Sequence, residues 1–233
     1  MIGVDRPGYG LSDPHANRKL GDFPKDIEQL ADHLGHKRFA VVGMSGGGPY
    51  AAACAHYFRE RAIKVAIIAG LGPPEAPGMT DNRVGFLLDL GQSPIKASVL
   101  MNVMRTLIRT SAADKHFERI KTRMPRASKD MDAMSPEFMR MLLESFREGL
   151  RSSAKGPQSD ARVYGEPWHF ALSDIKVPVA IWHGTHDAQV PVSIGRYYAQ
   201  HIPNARATFP DEEGHVSIVT SYLEAIIGDL RAG

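Results

Sequence analysis

Apolar and polar positions along this chain follow two alternating patterns. Three short, mainly apolar runs have the length of buried strands, at residues 39–44, 64–69 and 177–184. A fourth strand is predicted at residues 206–209. Other segments repeat apolar residues at helical spacing, as at Ile27, Leu30 and Leu34. Because helices alternating with continuously apolar strands form a parallel sheet covered on both faces, we predict an α/β fold.

The middle of the chain lacks this alternation. A break rich in glycine and proline at 72–78 is followed by helical patterns, with no convincing strand before Trp168. Eight of the ten methionines lie between Met79 and Met141, which is typical either of ordinary helix packing or of an adaptable apolar pocket wall. The three predicted segments are a first core part at residues 1–72, a helical cap at 73–167 and a second core part at 168–233.

The amino-terminal segment has its own pattern. The run Met1-Ile2-Gly3-Val4-Asp5 predicts a buried strand, and the glycines and prolines of residues 6–14 predict a loop after it. No secretory signal is visible there. The single cysteine, Cys54, excludes an intrachain disulfide and suits a reducing compartment, so we expect a cytoplasmic protein.

Composition narrows the function classes. The 233 residues carry a net charge of +2, which gives no indication of a nucleic-acid partner. No apolar run reaches the length needed to span a membrane. Hydrophobic residues make up 43% and charged residues 23% of the chain, as in ordinary globular proteins. These totals leave a small molecule as the expected partner.

A glycine-rich turn follows the run at 39–44. Gly43-Met44-Ser45-Gly46-Gly47 matches Gly-x-Ser-x-Gly at a strand-to-helix junction, which predicts an exposed nucleophilic serine beside the N–H groups of a helix start. Ser45 as a plain helix cap is one alternative. A dinucleotide site is another, since 46–51 fits Gly-x-Gly-x-x-Ala, but the strand at 64–69 is followed by no acidic residue at the expected distance.

Ser45, Asp187 and His215 each come just after a predicted strand, so all three are expected at one edge of the sheet. A serine hydroxyl needs an adjacent base, which His215 would supply, and Asp187 would orient the imidazole. Asp211 is a rival acid. A metal pair at His183-x-x-His186 is disfavoured, because an extended strand end does not hold two such groups together. No cofactor or metal is predicted.

These motifs give the chain a resemblance to the α/β-hydrolase superfamily over its whole length. The matching stretches are Asp5-Arg6-Pro7-Gly8-Tyr9-Gly10-Leu11-Ser12-Asp13, Gly43-Met44-Ser45-Gly46-Gly47, Trp182-His183-Gly184-Thr185-His186-Asp187 and Glu213-Gly214-His215. The resemblance implies Ser45 as nucleophile, Asp187 as acid and His215 as base. It also implies that residues 73–167 form a helical cap over the pocket.

One departure from the family accompanies this resemblance. Members have strands before the loop at 5–13, and this sequence holds no counterpart of those first strands. The loop that such proteins use for one oxyanion N–H is therefore absent, and the N–H of Gly46 is the expected remaining donor. Loss of one such donor costs about 3–4 kcal/mol of transition-state stabilisation. The unpaired sheet edge would also allow a homo-oligomer.

The sequence thus predicts a serine hydrolase that cleaves a carboxylic ester or related acyl compound through an acyl-enzyme at Ser45. The methionine-rich cap favours an apolar substrate. A non-catalytic ligand-binding protein, or an inactive remnant on the same scaffold, is the first alternative because an oxyanion donor is absent. An amidase or aminopeptidase is the second, and it differs only in the leaving group.

Overall fold

The computed structural model describes residues 1–110 and 129–231, which form a parallel sheet with helices on both faces. Within these residues the sheet has four strands in the order β1-β2-β3-β4, all parallel. They are β1 (Phe39–Met44), β2 (Ala62–Ile68), β3 (Val179–Trp182) and β4 (Ala205–Thr208). Every strand falls where the sequence predicts one, so the α/β expectation is confirmed.

The helices separate these strands along the chain. Before β3 the described α-helices are α1 (Phe23–His33), α2 (Gly48–Tyr57), α3 (Asn82–Gly91), α4 (Pro94–Arg109), α5 (Asp130–Ala133), α6 (Pro136–Gly149) and α7 (Lys155–Gly165). After β3 come α8 (Val192–His201) and α9 (Ser217–Arg231). The five helices α3 to α7 lie between β2 and β3, and the described part of that stretch holds no strand.

The side chains of β2 alternate between the two faces of the sheet, which explains why helices pack on both faces. Val65 and Ile67 face a large apolar cluster that includes α2 and α8. Ala66 and Ile68 face the other side, where α9 contributes Ile218 to a second cluster. Because successive strand residues point to opposite faces, a continuously apolar strand is buried on both. This is why β3 and the part of β2 from Val65 to Ile68 hold only apolar residues.

The register of the strands aligns their carboxyl ends. Met44 pairs with Ile68, Ile68 with Trp182, and Trp182 with Thr208, each the last residue of its strand. The loops that follow all four strands therefore leave the sheet from one straight edge. Open parallel sheets bind their ligands at this edge.

The expectation of a strand at Met1–Asp5 is wrong. Residues 1–6 form no strand, and the side chains of Met1, Ile2 and Val4 are exposed. A strand needs a hydrogen-bonding neighbour, and none of the described residues pairs with the outer edge of β1. As a result β1 is only partly buried, and Val42 is 53% exposed.

The regular secondary structure described between β2 and β3 is all helical, and residues 111–128 of the predicted cap lie outside the described residues. The methionines of this stretch do not share one environment. Met79, Met101 and Met134 are buried, whereas Met104 and Met141 are exposed. None of the described helices is both long enough and apolar enough to cross a bilayer.

Candidate active site

Ser45 lies at a sharp turn between β1 and α2. Its φ is +52°, a left-handed conformation that is uncommon for a residue with a side chain. The turn is held by backbone contacts: the N–H of Leu71 donates to the Ser45 carbonyl at 3.0 Å. A Cβ on Gly48 would lie 2.7 Å from the Gly70 Cα, so only glycine allows this approach. Strain of this kind persists where the surrounding structure enforces it.

Gly46, the residue after Ser45, is contacted by a side chain of helix α7. The Tyr164 hydroxyl lies 2.9 Å from the Gly46 carbonyl oxygen and 3.1 Å from Oδ2 of Asp160. Burial raises the pKa of Tyr164 well above its usual value, and the Asp160 charge adds to that effect. The phenol therefore stays protonated and donates its hydrogen bond. This contact restricts the peptide plane that follows Gly46.

Asp187 and His215 are in direct contact. Nδ1 of His215 lies 2.8 Å from Oδ2 of Asp187, and both residues are buried. The other oxygen, Oδ1, accepts the backbone N–H groups of Gln189 and Val190 at 2.8 Å each. The loops after β3 and β4 supply the two residues, as predicted from the sequence. With its backbone donors in place, the carboxylate is fixed in one orientation.

The charge of Asp187 is maintained inside the protein. Burial pushes the Asp187 pKa upward, but hydrogen bonds from His183 and His215 outweigh it and hold the pKa far below its usual range. The carboxylate is therefore ionised and can only accept hydrogen bonds. Nδ1 of His215 must then carry the proton, which leaves its Nε2 free to accept another.

The rival acid Asp211 lies outside the Asp187–His215 contact, whereas His183 of the alternative metal pair lies 3.4 Å from Oδ2 of Asp187. Asp211 is exposed and accepts from the Thr185 hydroxyl at 2.7 Å, with His186 3.7 Å from it. His183 is buried with Nε2 2.9 Å from the Val190 carbonyl. Among the described residues, no three His, Cys, Asp or Glu side chains converge on a site that could hold a metal ion.

Two buried aspartates that the sequence analysis did not single out lie close to these groups. Asp130 of α5 accepts the backbone N–H of His215 at 2.9 Å. Asp160 of α7 accepts from a cluster of five side chains. The cluster consists of Arg6, Tyr9, Arg18, Tyr50 and Tyr164. No sequence motif marks either aspartate, since all of these contacts except that of Asp160 with Tyr164, four residues away, join residues far apart in the chain.

The structure thus divides the predicted site into two groups at one edge of the sheet. Asp187 and His215 are bonded to each other beyond β3 and β4. Ser45 and Gly46 lie at the end of β1, two strands away from β3. The roles of these four residues stay predictions.

The comparisons with known proteins agree with this fold. A family model described as alpha/beta hydrolase fold matches residues 1–222. A 2-hydroxy-6-oxononadienedioate/2-hydroxy-6-oxononatrienedioate hydrolase of Burkholderia vietnamiensis is 26% identical over 212 residues. That match covers 88% of this chain and 66% of the relative, so the chain spans just under two thirds of the relative's length.

Solved structures show the same fold. An enol-lactonase from Burkholderia xenovorans has a TM-score of 0.68 at 21% identity, covering 97% of this chain and 78% of that one. An esterase from Exiguobacterium antarcticum has a TM-score of 0.66 at 20% identity, covering 99% and 81%. The names of these proteins share hydrolysis and differ in the compound hydrolysed.

Proposed function

The chain belongs to the alpha/beta hydrolase fold family, and from this premise we propose that it is a serine hydrolase of carboxylic esters or related acyl compounds. Ser45 is the nucleophile, His215 the general base and Asp187 the residue that orients the imidazole. The backbone N–H of Gly46 is the oxyanion donor that we assign. The proposal keeps the coarse activity that the relatives share and adds a substrate class and residue roles.

One observation carries the proposal: the 2.8 Å hydrogen bond between Nδ1 of His215 and the ionised Asp187. A buried imidazole fixed in this tautomer offers Nε2 as a base. A histidine held only for packing has no need of a buried, charged partner, and burying a charge is costly. The strained φ of Ser45 supports the assignment of the nucleophile, because such strain concentrates at active sites.

In the proposed reaction, Oγ of Ser45 attacks the ester carbonyl carbon while its proton passes to Nε2 of His215. The carbonyl electron pair moves onto the oxygen, which the Gly46 N–H and the start of α2 stabilise. Collapse of this intermediate expels the alkoxide, which takes the proton from His215. Water then gives up a proton to His215 as it attacks the acyl carbon. The bond from that carbon to Oγ of Ser45 breaks, Oγ takes the proton back from His215, and the carboxylic acid is released.

The ester is proposed as the substrate class because an alkoxide leaves more readily than an amine. The methionines of the helical stretch, from Met79 to Met141, support an apolar acyl or alcohol group. A pair of substrates with the same acyl group, one a p-nitrophenyl ester and the other a p-nitroanilide, separates an esterase from an amidase. An amidase hydrolyses both substrates, so we expect turnover of the ester and none of the anilide.

The proposal is tested with a fluorophosphonate probe and mass spectrometry on the folded protein. We expect a single adduct at Ser45, no adduct in Ser45→Ala, and an unchanged adduct in Ser173→Ala, whose exposed serine is a matched control. Ester turnover should disappear only in Ser45→Ala. Tight binding of a small apolar ester by the folded wild type, with neither adduct nor turnover, would overturn the proposal and favour a ligand-binding protein.

A further inference from the structure

The backbone around His215 is held by a side chain from a distant part of the chain. Asp130 accepts three consecutive N–H groups: those of His215 at 2.9 Å, Val216 at 2.8 Å and Ser217 at 2.9 Å. The carboxylate uses both oxygens and is only 3% exposed. Such charge-assisted hydrogen bonds are about twice as strong as neutral ones.

The N–H groups of His215 and Val216 lie just before α9, and that of Ser217 is the first of the helix. The first N–H groups of a helix have no partner within it, and a carboxylate is favourable there because of the helix dipole. Most helices satisfy these donors with a neighbouring residue in sequence. Here Asp130 is 85 residues from His215 in sequence and belongs to α5, between β2 and β3. A residue of α5 therefore supplies a hydrogen-bond acceptor for the start of α9, which packs on the sheet.

The residue before Asp130 binds the other end of the same loop. The backbone N–H of Lys129 donates to the Glu212 carbonyl at 3.2 Å. Its ammonium lies 3.3 Å from Oε1 of Glu213, a buried carboxylate. Two consecutive residues of the helical stretch thus hold the segment from Glu212 to Ser217 on both sides of His215.

We propose that Asp130 is a positioning residue for the general base. It acts through the His215 backbone and does not touch the ring, whose Nδ1 is held by Asp187. Two carboxylates therefore fix the histidine, one at its main chain and one at its side chain. The inference rests on the proposed function, since it concerns how the base of that reaction is held.

The reason for a kinetic effect is geometric. The direction of the His215 Cα–Cβ bond is set by the main chain that Asp130 holds, and the ring must reach both Asp187 and the nucleophile. A displacement of about 1 Å in a catalytic group can reduce the rate on the order of 100-fold. Loss of the Asp130 carboxylate should therefore lower kcat while KM, which reflects contacts in the substrate pocket, changes little.

The test compares Asp130→Glu, Asp130→Asn and Asp130→Ala with Asp132→Asn. Asp132 is an exposed aspartate of the same helix α5 and serves as the control. We expect kcat to fall by roughly 10- to 100-fold in Asp130→Asn, further in Asp130→Ala and least in Asp130→Glu. Asp132→Asn should match the wild type. Assays are run well below each variant's unfolding temperature, and Asp130→Glu provides the measurement if Asp130→Asn does not fold.

A second readout is independent of turnover. The Nδ1 proton of His215, bonded to Asp187, gives a downfield proton NMR signal, which Asp187→Asn identifies by its disappearance. We expect this signal to shift or broaden in the Asp130 variants and to be unchanged in Asp132→Asn. Wild-type kcat together with an unchanged signal in Asp130→Asn would overturn the proposal. So would lower stability with an unchanged signal, because Asp130 would then be only structural.

This second readout also separates the two proposals. If the wild type hydrolyses no ester and takes up no fluorophosphonate, the proposed function fails. The signal of the Asp187–His215 pair still reports whether Asp130 positions the histidine. Conversely, an active enzyme whose Asp130 variants behave like the wild type leaves the hydrolase proposal intact and removes this one.

Discussion

The acid–histidine side and the serine side of the candidate site are held by different physical means. On the acid–histidine side, Asp187 and His215 are buried and fixed by charge-assisted hydrogen bonds. On the serine side, Ser45 lies at the end of the partly exposed strand β1 and is held by backbone packing, through the close approach of Gly48 to Gly70. We therefore expect the acid–histidine side to be disrupted by a substitution that removes the carboxylate acceptor. The serine side should be disrupted by a substitution that adds a side-chain atom to a glycine of the turn.

After Ser45→Ala, the largest effect is expected from Asp187→Asn. The amide of asparagine can donate a hydrogen bond to Nδ1 of His215 and so stabilises the tautomer whose Nε2 carries the proton and cannot act as a base. In serine–histidine–aspartate sites such a change lowers kcat by about 10⁴-fold. Ester hydrolysis by the folded variant provides the measurement. Asp211→Asn, at the exposed rival acid, is the control and should retain wild-type kcat. The reverse pattern would assign the acid to Asp211.

Acid should weaken the acid–histidine side selectively. The folded pKa of Asp187 lies below its unfolded value of about 3.9, so its contribution to stability is complete above that pH. It is lost as the pH falls through the folded pKa, on the order of 2–3 kcal/mol for a shift of this kind. The free energy of unfolding is measured with denaturant between pH 7 and pH 2. As the pH falls, it should decrease less steeply in Asp187→Asn than in the wild type. Equal decreases would contradict the lowered pKa of Asp187.

Gly48→Ala should break the serine side by steric overlap. Its Cβ would lie 2.7 Å from the backbone of Gly70, which cannot move without disturbing the turn at Ser45. Forcing extra atoms into a packed site costs about 1–3 kcal/mol. Gly47→Ala is the matched control, since a Cβ there meets nothing within 4 Å. The free energy of unfolding is measured for both variants, and we expect it to be lower in Gly48→Ala than in Gly47→Ala. Equal values would show that the turn tolerates the added carbon.

The smallest effect is expected from Tyr164→Phe, which keeps the ring but removes the hydroxyl that contacts both the Gly46 carbonyl and Asp160. A typical hydrogen bond contributes about 1 kcal/mol, so we expect a few-fold loss of kcat/KM. Tyr57→Phe, which removes an exposed hydrogen bond to Glu28, serves as the control. An unchanged kcat/KM in Tyr164→Phe would mean that Gly46 is positioned without this contact.

The sequence predicts the parts of this fold that depend on local pattern. The strands at Phe39–Met44 and Ala62–Ile68 follow from continuous apolar runs, and the shared edge follows from the direction of parallel strands. The contact between Asp187 and His215 agrees with their order after β3 and β4. The roles of Ser45, Gly46, Asp187 and His215, and the boundaries of the three predicted segments, stay predictions.

The parts that could not be predicted depend on contacts between distant residues. The apolar run at Met1–Asp5 has the pattern of a strand, but a pattern cannot supply the neighbour with which a strand must pair. Asp130 and Asp160 sit in helices among other charged residues, and nothing local separates them from solvated side chains. Only the fold brings backbone N–H groups to one and arginines and tyrosines to the other.

The Asp160 cluster has a consequence for engineering. Arg6, Tyr9, Arg18 and Tyr50 come from the first part of the chain, whereas Asp160 comes from α7, and the two arginines hold the Asp160 pKa below its usual value despite burial. If the helices between β2 and β3 were replaced by those of another protein, the new segment would need a carboxylate at the place of Asp160. Without it, the guanidinium groups of Arg6 and Arg18 would lose the carboxylate with which they now pair. Substrate range in this scaffold is therefore better altered by point changes than by exchanging modules.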